Sequence, residues 1–150
     1  PEARTNDATM YVPGTDGAKM SKSKGNLLNP FADEKALKKA INKQIVTDAT
    51  PLEEPKDPES SVVYQIYKLV ASPEEANAMA SKLLAGGYGW GHAKKDLLGA
   101  LVDGFAQERD TFNRYMADLP ALDAELAKGA GKARVVANAT VNRLRSAFGY

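Results

Sequence analysis

Cysteine is absent from the 150 residues, which excludes disulfides and cysteine-based metal sites. A single histidine, His92, leaves no histidine set from which to build a metal cluster. The carboxylates Glu53, Glu54, Asp57 and Glu59 show no metal-ligand spacing and read as solvation of a connector. No apolar run approaches the length of a membrane span. The basic-then-apolar order of a secretory signal is missing too. The opening stretch, Pro1 to Asp7, is polar, carries no start-of-domain pattern and reads as cut from a longer protein. Acid runs out before the chain does: nothing after Glu125 is acidic, while Lys128, Lys132, Arg134, Arg143 and Arg145 come after it. A second basic cluster, Lys19, Lys22 and Lys24, lies near the start. On a chain with a formal net charge of +1, such patches read either as two places for anions or as solvated surface.

Hydrophobic residues at 43% and charged residues at 26% give an ordinary globular balance, and the length suffices for a real core. Residues 8–13 predict a short strand or extended arm, stopped by Pro13 and Gly14. Residues 14–30, rich in Gly, Lys, Ser and Asn, predict a flexible loop. From there the apolar spacing is helical. Leu37, Ala40, Ile41 and Ile45 predict a helix from Asp33 to about Thr47. Pro51, Pro55 and Pro58 forbid helix over 48–60 and predict a surface connector. A helix over about 60–70 comes next, with Val63, Ile66, Tyr67 and Val70 inward. The one after it is capped by Ser72, with Pro73 at its first position and Glu75 completing a capping box, and it ends at Gly86-Gly87. After a glycine–aromatic turn, Tyr88 to Gly91, a long helix is predicted from His92 to Met116. Its core stripe is Leu97, Leu98, Leu101, Phe105, Phe112 and Met116. His92 and Trp90 read as a structural histidine and a packing anchor. A short helical turn over 121–126, a break at Gly129 and Gly131, and a last helix from Lys132 to Phe148 complete the chain. The predicted fold is mainly α: a helical bundle over 31–150, preceded by residues 1–30 with an extended segment and the basic loop.

The segment with chemistry in it is Gly17-Ala18-Lys19-Met20-Ser21-Lys22-Ser23-Lys24-Gly25-Asn26. Two lysines three apart can place ammonium groups on one side of a tight loop. Hydroxyls between them add donors, and the glycines allow the bend. Such a set suits a polyphosphate that gains charge as a bond breaks; the alternative is a disordered basic linker. It is neither a P-loop nor a dinucleotide fingerprint.

Lys19 to Ser23 resembles, residue for residue, the KMSKS signature of class I aminoacyl-tRNA synthetases. The downstream sequence suggests the amino acid. Ile45 to Asp48 with Thr50 to Pro58, the turn Tyr88 to Lys94, and Gly129-Ala130 with Lys132 to Arg134 are similar to tryptophanyl-tRNA synthetases. That resemblance runs from about Thr9 to Gly149. It implies an enzyme that activates tryptophan with ATP and Mg2+, releases pyrophosphate, and charges tRNA(Trp). It also implies a cytoplasmic homodimer. Lys19 and Lys22 would hold the β- and γ-phosphates and stabilise the leaving pyrophosphate. Ser21 and Ser23 would add contacts, the backbone at Met20 would lie on the adenine side, and Met10 would line the adenine pocket. The family's HIGH-type motif and its Rossmann-type sheet are not in this sequence. The stretch by itself is therefore expected not to form adenylate.

At 100° per residue, Arg134, Asn138, Asn142 and Arg145 share about 80° of the last helix. Ala133, Val136, Ala137, Leu144 and Ala147 gather on another side and are expected to face the bundle. Cations beside amides suit phosphates together with splayed bases, but equally describe a solvated face with cations near a helix C-terminus. The resemblance favours RNA, namely the tRNA anticodon. The competing readings are a class I synthetase of the tyrosine type and a stand-alone helical RNA-binding module.

Overall fold

The computed structural model describes residues 11–150. Six helices succeed one another: α1 (Glu34–Gln44), α2 (Val62–Val70), α3 (Pro73–Ala85), α4 (Trp90–Gly104), α5 (Ala106–Ala117) and α6 (Leu119–Phe148). Among the described residues the only β pairing is an isolated antiparallel bridge between Pro13 and Lys19, so the fold is mainly α. No helix among them is long and apolar enough to cross a membrane. Two compact units are present, one ending at Arg109 and the other comprising Asp110–Tyr150.

In the first unit α4 and α2 are the central pair, with α1 against α4 and α3 against α2. The buried residues recur at helical spacing: Leu37 and Ile41 on α1, Val63, Ile66 and Tyr67 on α2, Ala76, Met79 and Leu83 on α3, Ala93, Leu97 and Leu101 on α4. Side chains supply the helix starts. Asp33 accepts from the Ala36 amide and Ser61 from the Tyr64 amide. Ser72 and Glu75 form the expected capping box, with Pro73 in the first turn. Gly86 ends α3 at φ 75°, and a Cβ there would lie 2.4 Å from the Glu53 carbonyl oxygen, so only glycine lets the connector close on the helix end. His92 packs ring to ring on Tyr88, and its Nδ1 accepts from the Gly89 amide at the start of α4, which gives it a structural place.

Long cations close the other helix ends. Lys94 on α4 donates to the carbonyls of Asn42 and Ile45 at the end of α1, and burial pulls its pKa down. The connector is less superficial than its prolines and acids suggest. Lys56 is 3% exposed, its ammonium donating to the carbonyls of Pro51, Leu52 and Glu54 at 2.6, 3.3 and 2.9 Å. It also stands 5.8 Å from the Trp90 ring, whose indole N–H donates to Asp48. A buried ammonium is tolerated because carbonyls occupy its donors.

Three helical expectations are corrected. The helix drawn from His92 to Met116 starts at Trp90 and breaks at Phe105. Gly104 weakens it there, and the Arg109 guanidinium takes the freed carbonyls of Leu101 and Val102 at 3.1 Å each. Phe112 and Met116, placed in the core stripe, are instead exposed. Finally, Gly129 and Gly131 break nothing. Both have negative φ, and α6 runs through them for 30 residues. Its Val136 and Leu144, expected to face a bundle, are 71% and 53% exposed, and Ala133, Ala137 and Ala147 are exposed as well. No residue of Asp110–Tyr150 is buried in this chain.

Candidate functional site

The basic loop is a folded turn held by its own hydrogen bonds. The chain enters through Val12, whose carbonyl accepts from the Met20 amide at 2.9 Å, and turns at Gly17 with φ 79°. The Gly14 amide donates to the Ala18 carbonyl at 2.7 Å. A second tight turn, Lys22 to Gly25, closes with Gly25 N–H to the Lys22 carbonyl at 3.2 Å and Gly25 at φ 68°. The Val46 amide donates to the Thr15 carbonyl at 2.9 Å, which ties the loop to the segment leaving α1.

The centre of this arrangement is Asn26, 3% exposed. Its Oδ1 accepts from the Ser21 amide at 2.8 Å. Its Nδ2 donates to Asp16 Oδ1 at 2.7 Å and to the Lys19 carbonyl at 3.3 Å. Its backbone carbonyl accepts from Thr15 at 3.0 Å. The Asn26 amide, and next the Ala18 N–H, hold the Asp16 carboxyl below the usual carboxylate range.

On this frame Lys19, Lys22 and Lys24 all point to solvent, and none forms an ion pair among the described residues. Ser21 and Ser23 share a hydroxyl–hydroxyl bond at 2.9 Å, and Met20 packs partly against the core. The turn thus gathers Lys19 through Ser23, the residues singled out from sequence, with both ammonium groups available for an anion. Met10 lies outside the described residues. On α6, Arg134, Asn138, Asn142 and Arg145 are all exposed, on one face of a continuous helix, over about 16 Å of axis. Lys128, in contrast, is paired with Glu125, which raises its pKa.

No family model matches the chain. Individual proteins do. The tryptophan–tRNA ligase of Rhodopirellula baltica is 43% identical over 145 residues, 97% of this chain and 45% of that protein. The ligase of Fusobacterium nucleatum is 38% identical over 99% of this chain and 45% of its own length. The crystal structure of tryptophanyl-tRNA synthetase from Campylobacter jejuni, complexed with ADP and tryptophan, superposes with a TM-score of 0.85 at 38% identity. It covers all of this chain and 47% of that one. The chain is homologous to the C-terminal part of tryptophan–tRNA ligases.

The homology spans both the basic loop and α6, and it favours the tryptophan reading over the tyrosine type or a stand-alone module. The chain spans about half the length of the curated relatives it matches. Sequence reasoning assigned no role to three residues that the structure makes central to the loop and its surroundings: Asn26, Asp16 and Arg109. Asn26 counted only as the end of the Lys-Gly-Asn string after the motif, with no role of its own, and Asp16 carried no signal beyond polarity in a polar loop. Arg109 donates to the Pro30 carbonyl at 2.9 and 3.2 Å across 79 residues of chain, which no local pattern announces.

Proposed function

We propose that this chain is the portion of a tryptophan–tRNA ligase that supplies the pyrophosphate-stabilising loop and a helical tRNA-binding surface. The whole enzyme would activate tryptophan with ATP and Mg2+ as substrates, release pyrophosphate, and charge tRNA(Trp), as a cytoplasmic homodimer. Residues 1–30 would end the catalytic domain and 31–150 would form the anticodon-binding domain. The observation that carries this reading is the pair Lys19 and Lys22, exposed and without ion pairs among the described residues, on a turn whose backbone is internally bonded. Their chemistry fits phosphate oxygens: two ammonium point charges with hydroxyls from Ser21 and Ser23 nearby. Met20 and Met10 would lie toward adenine.

Mechanistically, the lysines act on charge that develops as the α–β phosphate bond breaks and pyrophosphate leaves. They therefore stabilise the transition state more than bound ATP. In the full-length protein, Lys19→Ala or Lys22→Ala is expected to lower tryptophan-dependent ATP–pyrophosphate exchange by about 10²–10³ in kcat. The KM for ATP should change far less. An equal loss in both would overturn the transition-state role. The same assay on the 150 residues alone should give no exchange, and detectable exchange would contradict the division of labour.

The tRNA assignment rests on Arg134, Asn138, Asn142 and Arg145 sharing one exposed face of an α6 that carries no acid after Glu125. Binding to tRNA(Trp) should weaken with salt and fall on Arg134→Ala or Arg145→Ala. Unchanged binding in both variants would remove these residues from the interface.

A further inference from the structure

Asn26 spans the lysine motif in a way its neighbours do not. Its carboxamide bonds the carbonyl of Lys19 and the amide of Ser21, the peptide groups on either side of Met20. Both rotational ends of the amide are thereby occupied, with the third bond running to Asp16. Space has been made for it: a Cβ on Gly14 would lie 2.3 Å from Asn26 Nδ2 and 2.8 Å from its backbone oxygen. The group is buried while the lysines it borders are exposed, so it holds the backbone from which they project rather than meeting solvent itself.

We propose that Asn26 is a positioning residue for the pyrophosphate-leaving step, fixing with Asp16 the two peptide planes around Met20 and hence the directions of the Lys19 and Lys22 side chains. The proposal rests on the function proposed above. Donor and acceptor are assigned by the chemistry of the pair. Asp16 can only accept when ionised, so position 26 must donate to it while also accepting from Ser21, and a carboxamide does both. Lys24 is the cation that acts on Asp16, and the Ala18 N–H is its other donor.

The test uses the full-length protein, with Lys19→Ala as the reference for loss of the lysine itself. Asn26→Ala is expected to lower the kcat of exchange about 10- to 100-fold, as misplacement of a reacting group does, with a much smaller change in the KM for ATP. Asn26→Asp sets two carboxylates against each other. Their repulsion raises the pH at which one of them takes up a proton and regains a donor, above that of an isolated carboxylate. Its activity relative to wild type should therefore rise toward acid. Adding Asp16→Asn to that variant returns a donor opposite the new acceptor and should recover much of the loss. Unaltered kcat in Asn26→Ala beside a crippled Lys19→Ala would overturn the proposal and leave the functional reading standing. So would losses indifferent to pH and to the exchange of donor and acceptor. Wild-type protein without exchange would instead overturn the functional reading. Hydrogen exchange at the Ser21 amide then decides the clamp: faster exchange in Asn26→Ala supports it, and identical rates overturn it.

Discussion

The two compact units solve the same problem differently. Through Arg109 the chain buries an apolar face on every helix from α1 to α4, covers carbonyls at the ends of α1 and α4 with Lys94 and Arg109, and covers those of the connector with Lys56. From Asp110 onward it leaves Leu126, Val135, Val136, Leu144 and Phe148 between 53% and 75% exposed on a 30-residue helix closed by Gly149 in the left-handed region. Apolar periodicity thus predicts burial only where a partner element exists within the same chain. On α6 the pattern is present and its partner is not among the described residues.

The comparison is sharpest in core deletions. Leu97→Ala removes a fully buried side chain at the centre of α4 and should cost about 2–5 kcal/mol. Leu144→Ala on α6 should stay within about 0.5 kcal/mol, because its side chain is already half in water. Denaturant unfolding of the 150-residue chain measures both. Equal losses would erase the distinction between the units.

Arg109 comes next. Its guanidinium bonds the carbonyls of Pro30, Leu101 and Val102, joining the segment after the lysine loop to the end of α4. Arg109→Ala should cost about 2–3 kcal/mol by leaving these acceptors without their charged donor. Arg109→Lys should recover only part, since one ammonium cannot reproduce the fork. Full recovery by lysine would mean that charge at the helix end matters and geometry does not.

Capping shows how much could be read directly. Ser72, Pro73, Glu75 and the Gly86 stop were all legible because a cap is local: its donor and acceptor lie within four residues. Ser72→Ala should cost about 1 kcal/mol, seen as a lower melting temperature. Most buried residues of α1 and α2, with Leu97 and Leu101 of α4, were legible for a similar reason, because amphipathic spacing is periodic; Tyr64, Ala93 and the α3 face of Ala76, Met79 and Leu83 were not assigned from sequence. Long-range bonds were not. Lys94 reaches α1 across 49 and 52 residues, and Arg109 reaches Pro30 across 79. In sequence each is one more surface cation. The lysine motif announced itself by composition, whereas Asn26, which holds it in shape, looked like the end of a polar string.

The smallest effect concerns the glycines that misled the reading of the last helix. Gly129 and Gly131 suggested a break because glycine costs about 1 kcal/mol in a helix interior. That cost is evidence against a helix only if nothing else holds it. Here Asp118 accepts from the Ala121 amide at the start of α6, and the Gly149 amide closes on the Arg145 and Ser146 carbonyls at its end. Neither glycine has a positive φ, and a Cβ on either would meet nothing within 4 Å. Gly129→Ala and Gly131→Ala should therefore each stabilise α6 by about 0.8–1 kcal/mol. The readouts are a rise in helical circular dichroism and slower amide exchange between residues 126 and 136. Loss of helicity would mean that the chain turns at these positions, and that Arg134 through Arg145 belong to a separate helix whose face need not align with the stretch before it.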